Sequence, residues 1–250
     1  MKLANLNVNL PVTTTTYYTI SKFVSPMSSR PLPMSQVECR YSTELQKAIE
    51  DLSIIERLKF GDLKVEIAQD AEEDSPKRNG KSYYNYVLLD PKIIKRINFS
   101  GDHLKSDVIR NAEKFRKFIS AIFYVGKGCG KRPIQHLDEA KVALVTKRQD
   151  QSEKVQKILD IWKSGQGVIV HSFFHHSSER EANVNEASMI DAMGLTELSN
   201  LRKGSYSGQR VSQWTQKQKN QFGVFLLRTC FSLFAVSNGT ASKEIFPRDV

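Results

Sequence analysis

Apolar positions are sparse at the start of the chain and become periodic near its middle. Met1–Val37 holds no acidic residue, is rich in Ser, Thr and Pro, and shows little apolar periodicity, so residues 1–42 are expected to be disordered. From Thr43 to Phe60, Leu45, Ile49, Leu52 and Ile55 recur at near-helical spacing, which predicts a short amphipathic helix. Ala71–Lys81, with acids followed by Pro76-Lys77-Arg78-Asn79-Gly80, reads as a linker. Residues 43–80 are thus a helix and a linker, and the folded domain is expected over 81–235. Within it, Ser82–Leu89 is aromatic and branched and is stopped by Asp90-Pro91, as suits a strand. Val108, Ala112, Phe115 and Ile119 fall at i, i+4, i+7 and i+11, a helix to be packed on a sheet. Ala121–Val125 is the second strand.

Beyond Gly130, Pro133 suits a first helical turn, and Ile134, Leu137 and Leu144 would form that helix's inner face. Val155, Ile158, Leu159 and Trp162 mark a further helix closed by Gly165, and Val168–Phe174 a third strand. Glu179–Met193 is a helix with Ala182, Ala187, Ile190 and Met193 inward and Gly194 at its end. A last apolar helix runs from Gln216 to Phe234, and residues 236–250 are expected to fray. Strands alternating with helices indicate an α/β (α+β) fold with a small central sheet flanked by helices.

Composition narrows the function. The 250-residue chain is 40% apolar and has no apolar run near the roughly 20 residues that span a membrane, so no membrane role is expected. Cys39, Cys129 and Cys230 are odd in number and far apart, which argues against a disulfide framework or a Cys-only zinc site and for a reducing compartment. Charge is unevenly placed. Residues 1–80 carry 10 Lys+Arg against 11 Asp+Glu, whereas 81–250 carry 27 against 16. A basic domain favours a polyanionic partner, the alternative being lysines that merely solvate helix faces.

The densest candidate chemistry is Phe123-Tyr124-Val125-Gly126-Lys127-Gly128-Cys129-Gly130-Lys131-Arg132-Pro133-Ile134-Gln135-His136. Glycines let backbone approach a ligand closely, and two lysines, an arginine and a histidine accompany them, so the stretch reads as a phosphate site. A Walker loop needs four residues between its glycine and the Gly-Lys pair, whereas only three separate Gly126 from Gly130-Lys131. Arg132 and His136 lie four apart, on one side of a helix near its N-terminus, where they can meet a phosphate with the helix dipole. His171, His175 and His176 do not make a zinc site, because the adjacent pair points to opposite strand faces.

The order Tyr124-Val125-Gly126, Arg132 six residues after the glycine and His136 four further resembles the second half of the GIY-YIG nuclease signature. Tyr84-Asn85-Tyr86-Val87 matches the first half, with Tyr86 at its tyrosine and Tyr84 in place of its glycine. Together with Ile158-Leu159-Asp160-Ile161-Trp162, Glu186-Ala187 to Gly194-Leu195 and Leu198-Ser199-Asn200-Leu201-Arg202-Lys203-Gly204, the pattern is similar to the nuclease domain of the ankyrin-repeat and LEM-domain GIY-YIG endonucleases. No ankyrin or LEM segment is evident in residues 1–80, so those proteins' partners do not carry over.

The resemblance implies a GIY-YIG nuclease-like fold with extra helices and a divalent-metal-dependent DNA endonuclease that prefers branched or distorted duplex. It implies Glu186 as ligand of one Mg2+ or Mn2+, with Glu179, Glu181 and Asp191 as weaker candidates. A tyrosine would be the general base, Tyr86 or Tyr124 remaining open. A free phenol has a pKa near 10, and Lys127 is the candidate for lowering it. Arg132 would clamp phosphate, and His136 would protonate or orient it unless it only caps the helix. Gly126, Gly128, Lys131, Asn200, Arg202 and Lys203 would bind or organise substrate, and Arg210, Lys217 and Lys219 would line the DNA path. Nucleus or cytoplasm is the expected location, with a mitochondrial transit segment in residues 1–37 as the alternative. A nucleic-acid-binding module with decayed catalysis, suggested by Tyr84, is the competing reading.

Overall fold

The computed structural model describes residues 41–56, 61–73, 82–99, 111–130, 132–148, 151–237 and 242–250. The expected disorder of 1–40, the linker over 74–81, Val108 and Lys131 lie outside these residues.

Strand β1 (Tyr83–Leu89) is the centre of the protein and is followed by the one-turn helix α4 (Pro91–Ile94). It lies between β2 (Ile122–Gly128) and β3 (Val168–Ser177), antiparallel to both, and β4 (Lys243–Ile245) completes the order β2-β1-β3-β4. Residues Asn85–Leu89 are all buried, because helices cover both faces of the strand. On one face Tyr86, Leu88 and Val170 pack against Leu137 and Ala140 of α6 (Arg132–Thr146) and Ile158 of α7 (Glu153–Lys163). On the other, Val87, Leu89, Val125 and Phe173 meet α5 (Ala112–Ala121), α8 (Glu179–Met193) and α9 (Gln216–Val236). There Phe118 of α5 lies 5.4 Å and 5.3 Å, ring to ring, from Phe231 and Phe234 of α9.

Three features depart from the sequence reading. The helices before β1 are no appendage. Helices α1 (Thr43–Glu50), α2 (Ser53–Glu56) and α3 (Gly61–Glu73) bury Leu45, Ala48, Leu52, Ile55, Leu63 and Ile67 in the core that contains Val87 and Phe231. The broad apolar surface of α9 requires this cover. Second, the inner face of α6 is Pro133, His136, Leu137, Ala140 and Ala143, while Leu144 is 40% exposed; small residues bring that helix close to the sheet. Third, the C-terminal residues do not fray. Ile245 is buried opposite Val168, and Trp162 Nε1 donates to its carbonyl at 3.0 Å. Three paired residues are too few to leave an alternating pattern.

Asp70 fastens α3 to the rest. Its buried carboxylate accepts from the backbone N–H groups of Arg210 and Val211, each at 3.0 Å, and from Arg210 Nη1 at 3.1 Å. Asp70→Ala orphans both backbone donors and is expected to cost about 2–3 kcal/mol, read as a lower urea midpoint with unchanged slope. An unaltered midpoint would show that this contact does not hold α3 in place.

Candidate active site

The pairing of β1 with β2 sets Tyr86 opposite Gly126, Leu88 opposite Tyr124 and Tyr84 opposite Gly128. Residues two apart on a strand share a face, so Tyr84, Tyr86, Tyr124 and both glycines face α6. The Tyr86 ring is fully buried and lies across Gly126, where an added Cβ would fall 2.4 Å from its Cζ. At Gly128 an added Cβ would fall 2.4 Å from the Cβ of Arg132. These glycines make room for two protein side chains. The Tyr86 and Tyr124 rings are 6.1 Å apart, and each phenol feels the other's charge. Tyr84, in place of the signature's glycine, donates from its hydroxyl to the carbonyl of Gly130 and so ties down the loop before α6.

His136 and Arg132 leave α6 in different directions. Arg132 is exposed, donates to Gln135 Oε1 at 2.7 Å, and its charge reaches Tyr86, Tyr124 and Glu186. His136 is buried, with Nε2 2.9 Å from the Tyr86 hydroxyl and Nδ1 2.7 Å from Lys154 Nζ. Burial, reinforced by the positive charge of Lys154, pushes the imidazole pKa down to about 4. His136 is therefore neutral at physiological pH and lies behind a tyrosine, so it neither protonates phosphate nor caps the helix. Lys154, from α7, is only 15% exposed in its side chain and lies 5.2 Å from the centre of the Tyr124 ring. Glu139 stands 3.6 Å from the Lys154 ammonium. Sequence reasoning missed both residues. Only the i,i+3 spacing of Glu139 from His136 hinted at either.

Glu186 is half-buried on α8, and burial pushes its carboxyl up to about 7 against the charge of Lys127, the backbone N–H of Lys127 and the charge of Arg132. Its own charge in turn raises the pKa of Tyr86 and Tyr124, for which burial is the larger cause. The structure thus brings Tyr86, Tyr124, Arg132 and Glu186 into one electrostatic site. Lys127 points to the opposite face of the sheet from the two tyrosines. It pairs with Asn85 in the sheet register, lies 3.6 Å from Glu179, and directs its charge at Glu186.

Helix α8 is held by a buried pair of amides. Asn85 Nδ2 donates to the carbonyl of Ala182 at 2.9 Å, and Asn185 Nδ2 donates to Asn85 Oδ1 at 3.2 Å. One strand therefore carries Tyr86 on one face and, through Asn85 on the other, fixes the helix that bears Glu186. Asn200 donates to the carbonyl of Val125 at 2.7 Å and accepts from its N–H at 3.1 Å. Its amide is committed to strand β2, so it organises the site and does not bind substrate. Arg202 and Lys203 are exposed in the loop that follows, and Gly204 seats that loop against Ala187, next to Glu186.

A hard dication takes oxygen ligands and can keep several waters. Among the described residues no group of three His, Cys, Asp or Glu side chains could form a metal cage, so a metal here would rest on one carboxylate and water. Glu186 fits that role, held partly out of water beside the tyrosines. The weaker candidates are engaged elsewhere: Glu179 accepts from the Tyr83 hydroxyl at 3.1 Å, Glu181 completes the Ser178 capping box, and Asp191 accepts from the Tyr206 hydroxyl at 2.9 Å.

A small antiparallel sheet with facing tyrosines on adjacent strands, an arginine opening the next helix and a glutamate on the helix behind defines a GIY-YIG-type domain. The chain belongs to the LEM-3-like GIY-YIG domain family, which matches it over residues 83–250. It is 37% identical over 170 residues to ankyrin repeat and LEM domain-containing protein 1 of Mus musculus, covering 68% of this chain and 30% of that protein. The Homo sapiens protein of that name is 33% identical over 192 residues, covering 74% of this chain and 30% of that protein. The Caenorhabditis elegans homolog is 32% identical over 162 residues, covering 62% of this chain and 21% of that protein. The chain thus matches no more than 30% of the length of these curated relatives. No solved structure matches it.

A carboxyl with a pKa of about 7 is protonated below that pH, and a metal must displace the proton to bind. Calorimetric titration with Mn2+ should therefore show affinity rising about tenfold per pH unit below about pH 7 and levelling above it. A flat profile across that range would remove Glu186 as the ligand.

Proposed function

We propose that this domain is a divalent-metal-dependent DNA endonuclease that hydrolyses phosphodiester bonds and prefers branched or distorted duplex. The observation that carries the proposal is the gathering of a half-buried carboxyl, two neighbouring phenols and a permanently charged guanidinium within electrostatic reach of one another. Hydrolysis needs a proton acceptor for the attacking water, neutralisation of phosphate charge and stabilisation of the departing 3′ oxygen. Arg132 binds phosphate oxygens through its planar fork of donors. Glu186 holds a Mg2+ or Mn2+ ion, which when bound supplies positive charge to the phosphate and the departing oxygen. As the water oxygen bonds to phosphorus, its proton passes to a tyrosine oxygen and the bond from phosphorus to the 3′ oxygen breaks. The resting phenols are raised in pKa by burial and by the Glu186 carboxylate, so ionisation depends on Arg132 and on the cation that Glu186 would hold.

The excess of 27 basic over 16 acidic residues in 81–250 favours a phosphate-tracking surface, and cations aimed at phosphate suit recognition of DNA shape. Arg202, Lys203 and Lys217 belong to that surface. Lys219 joins it from above the Tyr206 ring, 4.4 Å away, whereas Arg210 is occupied by Asp70. The Tyr84 hydroxyl secures the Gly130 loop, a structural role that supports a working site over a decayed one. No helix among the described residues is long and apolar enough to cross a membrane. We place the activity in the nucleus or cytoplasm.

The test is incubation of purified protein with labelled linear, flap and four-way DNA, with and without Mg2+ or Mn2+. Glu186→Gln should fold and bind DNA but not cut, because a neutral amide is a poor ligand for a hard dication. Tyr124→Phe and Arg132→Ala should each slow cleavage by about a hundredfold or more. Tight binding of branched DNA without cutting in either metal would replace the endonuclease by a binding module.

A further inference from the structure

The groups behind the two tyrosines form a chain of hydrogen bonds that can run in only one direction. An ammonium group has three donors and no acceptor, so the 2.7 Å contact from Lys154 Nζ requires His136 Nδ1 to be the acceptor. A proton on Nδ1 would face that ammonium, and its other neighbour, the Glu139 carboxylate at 3.7 Å, is too distant for a hydrogen bond. The neutral imidazole therefore carries its proton on Nε2 and donates to the Tyr86 oxygen, 2.9 Å away. With that oxygen accepting, the Tyr86 proton points away from the imidazole, toward Tyr124 on the same face of the sheet, its ring 6.1 Å away centre to centre. The other charged or titratable groups facing this chain are Arg132 and Glu139 from α6 and Glu186 from α8.

We propose that Lys154 is a positioning residue that fixes the tautomer of His136, aims the Tyr86 hydroxyl at Tyr124, and so makes Tyr124 the acceptor of the proton from the attacking water. Tyr86 is then the donor that stabilises the Tyr124 phenolate and does not itself act as base. Without the Lys154 donor the imidazole proton can sit on Nδ1, Nε2 becomes an acceptor, and the Tyr86 hydroxyl turns away from Tyr124. The proton-transfer half of this inference rests on the endonuclease reading; the hydrogen-bond half does not.

Two measurements test it. Nitrogen-15 spectra of histidine-labelled full-length protein at neutral pH, with His136 assigned by its loss in His136→Gln, should show the proton on Nε2 in the wild type. Lys154→Arg should retain that state and Lys154→Met should populate the Nδ1 form. Cleavage by Lys154→Met should fall about tenfold, as for one lost hydrogen bond to a charged group, yet the same change in a Tyr86→Phe background should cost almost nothing further. A wild-type proton on Nδ1, or an equal loss from Lys154→Met in both backgrounds, would overturn the proposal. A wild type that cuts no DNA would overturn the endonuclease reading and with it the proton-transfer half, while the spectra would still decide the direction of the chain.

Discussion

Everything at this site depends on how Tyr86 lies over Gly126. The absence of a Cβ at that one position lets a ring from the central strand cross its neighbour and reach His136, and the same crossing sets the ring 6.1 Å from that of Tyr124. A methyl group in that place would collide with the ring, and the ring cannot retreat because Leu137 and Ala140 pack close by. The register of two strands thereby determines which hydroxyl meets which imidazole. Chemistry that acts through hydrogen bonds tolerates little slack, and here the tolerance is set by backbone pairing.

How much of this was legible in the sequence depended on whether spacing or tertiary packing decided each residue. Tyr86, Tyr124, Arg132 and Glu186 were visible because a spaced pattern of uncommon residue types preserves its order however the helices pack. Lys127 was misassigned although strand parity sufficed to place it, since residues three apart on a strand point to opposite faces and it could not join Tyr124. His136 was placed beside Arg132 by helical spacing, but the first turn of α6 runs from solvent into the sheet, so four residues separate an exposed cation from a buried imidazole. Lys154 could not be singled out among 37 basic residues, because only the folding of α7 against α6 brings it to the ring.

The larger misjudgement concerned α1 to α3. Their apolar positions are few, and Asp70, which anchors them, has the residue type of a surface position. Their burial follows from α9, whose apolar residues extend over more than one face and need cover from several directions. Helix α8, pressed between α9 and the sheet, inherits its position from that packing, so the helices before β1 contribute indirectly to where Glu186 stands.

The two hydrogen bonds from Asn200 to Val125 have one more consequence. Strand β2 is the outer strand on the catalytic side, and an outer strand with open N–H and carbonyl groups invites a strand from another molecule. Here an amide side chain occupies both groups of Val125, and Ser199 occupies the carbonyl of Phe123. The strand that carries Tyr124 is thus closed to edge-to-edge association, and crowding on a nucleic acid would not let neighbouring copies zip together through their catalytic edges.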